Sequence, residues 1–319
     1  MTTAKGAARA GVDWTSAGLQ PSASPRALVW RRFRRHRLAV LSGFLLLALA
    51  VASLAAPLVA ELLGKQVDAV DLFGRFGEPS LTHPLGTDEL GRDLLLRLLY
   101  GGRISLFVGL VGAIAAAVIG TIIGLIAGYA GGRIDAFLMR LTDAVIALPV
   151  LPLLIVLAAL DFTKLGLPAT VMRSPYGSLY IILGIIALVG WTTVARLVRG
   201  ATLSVRERDY VRAAVALGAG PMRIIRRHIF PNVVSPIIVA TTLSVGNVIL
   251  TESILSFLGL GIQPPLPSWG NMLTNAQELI WQAPALAVYP GLLIFVTIMA
   301  FNFLGDGMQD ALDPRANEP

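Results

Sequence analysis

Apolar residues occur along this chain in six runs that are separated by polar segments. Each run is close to the roughly 20 residues that an α-helix needs to cross a bilayer, so each predicts a membrane-spanning helix. The first run is too long for the roughly 7–15-residue core of a secretory signal, and we expect it to remain as an anchor. An even number of spans places both ends of the chain on the same side. The runs lie at Leu38–Ala60, Ile104–Gly128, Phe137–Leu160, Leu179–Leu197, Val233–Phe257 and Ala285–Phe303.

The composition agrees with an all-α integral membrane protein. Hydrophobic residues make up 55% of the chain and charged residues 14%, against about 25% charged in an average soluble domain. The pattern divides the chain into an N-terminal tail, a first helix with the polar segment after it, a five-helix core that contains a basic loop at about 199–231, and a C-terminal tail. The expected boundaries are 1–37, 38–103, 104–305 and 306–319.

Lysine and arginine are distributed unequally between the loops, and this predicts the orientation. Loops with an excess of basic residues stay in the cytoplasm. Loop 259–283 has no Lys or Arg, and between the third and fourth runs there are only Lys164 and Arg173. We therefore expect 259–283 to be external, and both termini and loop 199–231 to be cytoplasmic. That loop holds Arg199, Arg206, Arg208, Arg212, Arg223, Arg226 and Arg227.

The positive charge of the chain does not indicate a nucleic-acid partner. Although the net charge is +7, a cluster of basic residues stands directly before the first apolar run, as in a cytoplasmic membrane flank. We expect contact with membrane lipid and not with nucleic acid. The cluster consists of Arg31, Arg32, Arg34, Arg35 and Arg37.

Residue content also argues against enzyme chemistry. The chain has no cysteine, and its histidines (His36, His83 and His228) are scattered, so we expect no metal centre, cofactor site or catalytic dyad. The phosphate-binding pattern G-x-x-x-x-G-K-[ST] is also missing, because Gly64-Lys65 is followed by Gln66. Any ATP that drives this protein must therefore be hydrolysed by another chain.

The basic loop contains the stretch "DYVRAAVALGAGPMRIIRRHIFPN", which predicts two short helices. Ser204 and Glu207 fit a capping box that begins the first helix. Gly218 suits the left-handed position that ends it, Pro221 suits the first turn of the second helix, and Pro231 limits that helix. On the first helix one face carries small and apolar residues and the opposite face carries Arg208 and Arg212. The first face consists of Tyr210, Ala213, Ala214 and Leu217.

This stretch resembles the loop that marks the permease subunits of bacterial binding-protein-dependent ABC importers. Ala213, Ala214, Gly218 and Pro231 match the family pattern at its spacing. Arg212 stands where the pattern has Glu, His228 where it usually has Ile, and Phe230 where it has Leu. The resemblance implies a role in coupling to an ATPase for Tyr210, Arg212, Ala213, Ala214, Leu217, Gly218 and Pro231.

Three further stretches are similar to the second permease chain of the peptide and nickel importers. They are "HPLGTDELGRDLLLRLLYGGRISL", "ESILSFLGLGIQPPLPSWGNML" and "FNFLGDGMQDALDPR". The resemblance implies the type I ABC importer transmembrane fold with six helices, in the bacterial inner membrane. It implies as partners a second homologous permease subunit, two cytoplasmic ATPase subunits and a periplasmic or lipid-anchored binding protein. Di- or oligopeptides are the expected cargo, with nickel chelates and glutathione as alternatives.

An ATP-independent channel or secondary transporter is the competing class of function. Inverted repeats or paired charges deep in the spans would favour it. Neither pattern is evident in the sequence, so an importer subunit is the preferred interpretation.

A few residues inside the spans need an explanation. Gly120, Gly124 and Gly128 recur every four residues and predict close helix packing, with lining of the pore as the alternative. Asp143 follows Arg140 by three positions, which allows an ion pair near the cytoplasmic surface. Three residues are candidates for the transport pathway or its gate: Asp143; Pro149, which with Pro152 loosens the third span; and Glu252, for which a structural hydrogen-bonding role is the alternative.

The segment before the second span predicts a surface helix. We expect His83–Arg103 to lie on the membrane with a cap at Thr87 or Asp88, and Gly101-Gly102 to turn the chain into the bilayer. As part of a long external loop, this segment is a candidate contact for a binding protein, and packing against a partner permease is the alternative.

Overall fold

The first helices form an N-terminal arm and an anchor. The computed structural model describes residues 25–312 except 165, 167, 169 and 171–173, so Arg173 and both chain ends lie outside the described residues. Helix α1 (Pro25–Arg35) leads into α2 (Arg37–Leu54), which is followed by α3 (Ala56–Leu63). The first apolar run is thus divided between α2 and α3, since Ala55 caps one and begins the other.

The remaining helices build a bundle. Within the described residues, five helical stretches are long and apolar enough to cross a membrane. A bent helix pair supplies a sixth span if it is counted as one, and the number then equals the six spans expected from the sequence. The elements are α4 (Leu94–Ala130), α5 (Gly132–Ala147), α6 (Val150–Ala158), α7 (Gly177–Arg206), α8 (Asp209–Ala216), α9 (Pro221–Ile224), α10 (Phe230–Phe257), α11 (Ala276–Leu279) and α12 (Ala285–Leu312). A π-helical turn at Ile225–Ile229 joins α9 to α10.

The bent pair is the third predicted span. Helices α5 and α6 meet at an angle of 85°. Leu148 is extended (φ −74°, ψ 138°), as the residue before a proline prefers, and Pro149 is the N-cap of α6. The expectation that prolines loosen this span is confirmed, and the result is a break rather than a gentle kink.

Helix α4 packs closely against α7 along the predicted glycine row. A Cβ atom at Gly120 would lie 2.5 Å from the carbonyl oxygen of Trp191, and one at Gly124 would lie 2.6 Å from that of Ala195. At Gly128 it would lie 2.7 Å from Cβ of Thr202. These glycines therefore let the two backbones touch, which confirms the packing interpretation.

We expect Gly124→Ala to destabilise the isolated protein by about 1–3 kcal/mol, because the added methyl group overlaps main-chain atoms of α7. Gly184→Ala on α7 is the matched control, since a Cβ atom there meets nothing within 4 Å. The control is expected to be neutral or to stabilise the helix by up to about 1 kcal/mol. Thermal unfolding in detergent measures both variants, and equal melting temperatures would contradict the packing role.

The segment before α4 differs from its prediction. Helix α4 begins only at Leu94, where the carboxylate of Asp93 accepts a hydrogen bond from the Leu96 amide at 3.0 Å. The carboxylate of Asp88 instead accepts from the amides of Leu90 and Arg92 at 2.9 Å within a tight loop. The predicted cap at Thr87 or Asp88 and the helix over 83–93 are therefore wrong, because local loop contacts use the side chain of Asp88.

The pair Gly101-Gly102 does not turn the chain. Both glycines lie inside α4 and are buried against Trp269 of the distant loop 258–275. A Cβ atom on Gly102 would lie 2.9 Å from the Trp269 ring. The prediction of a turn is wrong because these glycines serve close approach of a neighbour, not chain reversal.

Candidate functional site

The short helix α8 stands apart from the long helices. It begins at Asp209 because α7 continues to Arg206, so Ser204 remains inside α7 and the predicted capping box does not form. Gly218 ends it with φ +80°, and the Ala219 amide donates to the Ala214 carbonyl at 3.0 Å. The left-handed glycine and the restart at Pro221 are as the sequence predicts.

One apolar residue holds α8 to the bundle. Val211 is 1% exposed and packs in a cluster with Ile224, Ile229 and Val233 from the chain that follows. Val211 was missed in the sequence analysis, because a single valine among alanines does not stand out as an apolar contact residue. The cluster fixes the rotation of α8 about its axis and connects it directly to the start of α10.

The anchoring of Val211 leaves the other faces of α8 outward. Tyr210 and Leu217 are 46% and 88% exposed, Ala213 is exposed and Ala214 is half-buried. This is the face that the sequence singles out, and the described part of the chain leaves it largely uncovered. A surface of two alanines flanked by Tyr210 and Leu217 is shaped to enter a groove.

Arg212 is exposed on a different side of α8. Its guanidinium donates to the Glu207 carboxylate at 2.6 Å, and this hydrogen bond holds the pKa of Glu207 below its ordinary value. Both groups are exposed to solvent, so the pair contributes little to stability. The arginine thus bonds within the loop at the position where the family pattern has an acid.

Pro231 does not end the second helix of the loop. The chain remains helical from Pro221 to Phe257, and the Phe230 amide donates to the carbonyl of Ile225 five residues back. A proline has no amide hydrogen, and the wider π turn accommodates the lost donor without breaking the helix. The predicted boundary is therefore wrong, and α8 connects through one continuous helix to the opposite end of the bundle.

Asp143 pairs with a different arginine from the one that the sequence suggests. Its carboxylate accepts a hydrogen bond from Arg196 of α7, not from Arg140. Asp135 binds Arg199 in the same way, with Nη2 and Oδ2 2.6 Å apart. Two ion pairs therefore connect α5 to the C-terminal part of α7. This is the end of α7 from which the chain continues into α8.

Glu252 lies fully buried near the far end of α10. Its Oε1 accepts hydrogen bonds from Ser256 Oγ at 2.7 Å and from Ser268 Oγ at 2.9 Å, and Ser256 Oγ accepts from the amide of Ile262. Its Oε2 has no partner among the described residues. Through these hydrogen bonds Glu252 holds loop 258–275 against α10, whereas its place in a gate stays a prediction.

Loop 258–275 closes this end of the bundle. The indole nitrogen of Trp269 donates to the carbonyl of Leu98, and the backbone amide of Trp269 donates to Ser105 Oγ. The side-chain amide of Asn271 donates to the carbonyls of Ile262 and Leu266. The loop is therefore held by polar contacts to α4 and α10 and by its own turns. In the described part of the chain, no group of three acidic or histidine side chains is arranged to hold a metal ion.

Comparisons with known proteins agree over nearly the whole chain. Residues 120–318 match the family model of a binding-protein-dependent transport system inner membrane component, and residues 24–70 match that of the N-terminal transmembrane domain of oligopeptide transport permease C. A dipeptide transport system permease protein of Bacillus subtilis is 40% identical over 93% of this chain and 88% of its own length. A glutathione transport system permease protein of Pectobacterium atrosepticum is 41% identical over 90% of each chain.

Proposed function

Because the chain belongs to the family of inner membrane components of binding-protein-dependent transport systems, we propose that it forms half of the translocation pore of an ATP-driven importer for di- or oligopeptides. The type I ABC importer transmembrane fold comes with this membership. The observation that carries the proposal is α8, whose small-residue face points outward while Val211 connects it to α10. A displacement of α8 by another protein can therefore be transmitted to the membrane-spanning helix α10.

The cargo is inferred from the relatives. The similar proteins are permeases for dipeptides and for glutathione, which is itself a small peptide. A peptide-like solute is the cargo common to both, and glutathione remains the second candidate on this ground. A nickel chelate has no such support.

Four other chains complete the proposed importer: a second permease, two ATPase subunits and a binding protein. A second homologous permease forms the other half of the pore, and two cytoplasmic ATPase subunits each receive one α8-type helix. A periplasmic or lipid-anchored binding protein supplies the cargo, and the segment His83–Arg103 is the proposed contact for it, with packing against the partner permease as the alternative. The pore then has no catalytic role of its own.

Movement is proposed to travel from α8 to the pore along a short path. Closure of the ATPases presses on the face that contains Ala213 and Ala214, and the Val211 cluster carries this displacement to the π turn before Pro231. A π turn is a weak point of a helix, so α10 can tilt there. The broken span at Pro149 and the Asp143–Arg196 pair provide the proposed gate on the same side of the bundle.

Capture of the tagged chain from native membranes tests the assembly. The expected result is that a second permease and an ATPase co-purify in fixed ratio and that the sample hydrolyses ATP. Recovery of this chain alone, with transport activity intact, would instead indicate a channel or secondary transporter.

The topology gives a separate prediction. In this cysteine-free chain, Trp281→Cys is expected to react with a membrane-impermeant thiol reagent in intact cells and Gly220→Cys is not, because 259–283 lacks basic residues and 199–231 is rich in them. Trp281 is 94% exposed and Gly220 is exposed, so both positions are accessible to the reagent. The reverse labelling pattern would overturn the orientation.

A further inference from the structure

A cleft of about 190 Å³ lies between α6, α7 and α10, in the part of the bundle that spans the membrane. Its α6 wall is apolar and is formed by Val150 and Leu154 just after the break in the third span. The opposite wall combines apolar and polar side chains of α7 and α10. The polar ones are Thr193, Ser244, Asn247 and Thr251.

Three of these polar residues form one row on α10. Ser244, Asn247 and Thr251 are spaced by three and four positions, so they lie on the same face of the helix. The hydroxyl of Ser244 donates to the carbonyl of Ala240 at 2.7 Å, and that of Thr251 donates to the carbonyl of Asn247 at 2.8 Å. Both hydroxyl donors are thus used within the helix, while their oxygen lone pairs remain free to accept.

The side chain of Asn247 is the unsatisfied group of the row. It is exposed, and its amide makes no hydrogen bond to the described residues. It lies about 15 Å along the helix from Phe257, which is about half the thickness of the hydrocarbon core. An unpaired amide at this depth is unfavourable against lipid, so a polar side chain there faces a cavity or a partner.

An exposed surface on α4 has the composition expected of a face that contacts lipid. One face of α4 presents a continuous row of exposed side chains made only of hydrocarbon. The row contains Phe107, Leu110, Ile114, Val118, Ile122 and Ile126. The polar row of α10 has the opposite character at similar depth, which indicates water rather than lipid beside Asn247.

We propose that Asn247, with Thr193, Ser244 and Thr251 beside it, forms a neutral hydrogen-bonding wall of the transport pathway that contacts the backbone amide groups of a peptide cargo. The inference rests on the proposed function and names the residues of the pore. A carboxamide offers two donors and an acceptor, which complement the carbonyl and N–H of a peptide bond. The described residues that line the cleft include no ionisable side chain, so this wall does not select cargo by charge.

Cysteine accessibility in the assembled importer tests the location. In vesicles that contain the permease pair, the ATPases and the binding protein, Asn247→Cys and Thr193→Cys are expected to react with a hydrophilic thiol reagent about tenfold faster than Val118→Cys, because the reactive thiolate needs water. The rates at 247 and 193 are also expected to differ between nucleotide-free and ATP-trapped complexes, and the rate at 118 is not. Equal slow rates at all three positions would overturn the proposal.

A charge-swap variant tests the contact with cargo. Asn247→Asp places one negative charge in the wall, so the ratio of uptake of a lysine-containing dipeptide to that of a glutamate-containing dipeptide should rise about fivefold over the unmodified importer. A purely structural role would leave this ratio unchanged, and an unchanged ratio would contradict the proposal. If the unmodified complex shows no ATP-dependent uptake, the proposed function fails; if uptake is normal but 247 neither reacts nor alters the ratio, only the wall assignment fails.

Discussion

Ala213→Trp is expected to leave the protein folded and inserted but to reduce ATP-driven uptake at least about tenfold. The side chain at 213 is exposed in the isolated chain, so an indole there displaces nothing in the bundle. It cannot enter a groove that is sized for a methyl group, and overpacking of a buried contact costs about 1–3 kcal/mol, roughly tenfold in affinity. ATP hydrolysis and uptake, measured together in reconstituted vesicles, should separate.

Two neighbouring positions sharpen this result. Ala214→Trp should have the same effect, although Ala214 is half-buried and the variant needs a stability measurement beside it. Val215→Trp is the control, because the side chain at 215 is 53% exposed and lies on the side of Arg208 and Arg212, opposite Ala213. Arg212→Ala should be mild for the same reason. Normal assembly with wild-type uptake in Ala213→Trp and Ala214→Trp would show that α8 does not couple the ATPase to the pore.

Glu252→Ala is expected to be the most destabilising single change in this part of the protein. The substitution removes the acceptor that both Ser256 and Ser268 use, and each buried hydroxyl left unpaired costs about 1–3 kcal/mol. Loop 258–275 should loosen as a result. The expected observations are a lower melting temperature in detergent and faster proteolysis within that loop.

Glu252→Gln separates the structural role of this residue from a role in a gate. Glutamine keeps the Oε1 acceptor, so the variant should retain most of the stability that Glu252→Ala loses. Full stability combined with normal uptake would support the role of Glu252 in holding loop 258–275. Full stability combined with a large loss of uptake would contradict it and would point to the carboxyl group as part of the gate.

Local signals in the sequence were sufficient to predict much of loop 199–231 and of the spans. Gly218 adopts the left-handed conformation that its position predicts, and Pro221 begins a helix. The row through Gly124 packs against α7 because small residues at a spacing of four have few other uses in an apolar helix. Helix periodicity and the conformational preferences of glycine and proline act over a few residues, and one sequence contains them fully.

Two of the errors concern contacts between residues far apart in the chain. Asp143 could reach Arg140 on its own helix, yet it binds Arg196 of α7, which no local pattern indicates. Gly101-Gly102 had the composition of a turn, but Trp269 from a distant loop packs on these glycines within a continuous helix. A glycine pair can form a turn or can let a distant side chain pack closely against a helix. Which of the two occurs depends on the residue that contacts the pair, and only the tertiary fold determines that residue.

Val211 and Asn247 were missed for a related reason. A valine among alanines and an asparagine in an apolar run are unremarkable in the sequence, and their importance comes from burial and exposure. Val211 is 1% exposed in a region where the rest of α8 faces outward, whereas Asn247 is exposed in a region where polar groups are normally hidden. Both signals require the packed structure.

Uptake of a labelled dipeptide into vesicles tests the central claim most directly. The vesicles contain this chain, its partner permease, the ATPase subunits and the binding protein, and ATP is supplied on the side of loop 199–231. The account predicts accumulation against the gradient that stops when a non-hydrolysable ATP analogue replaces ATP or when the ATPase subunits are left out. Accumulation that continues without the ATPase subunits would contradict it.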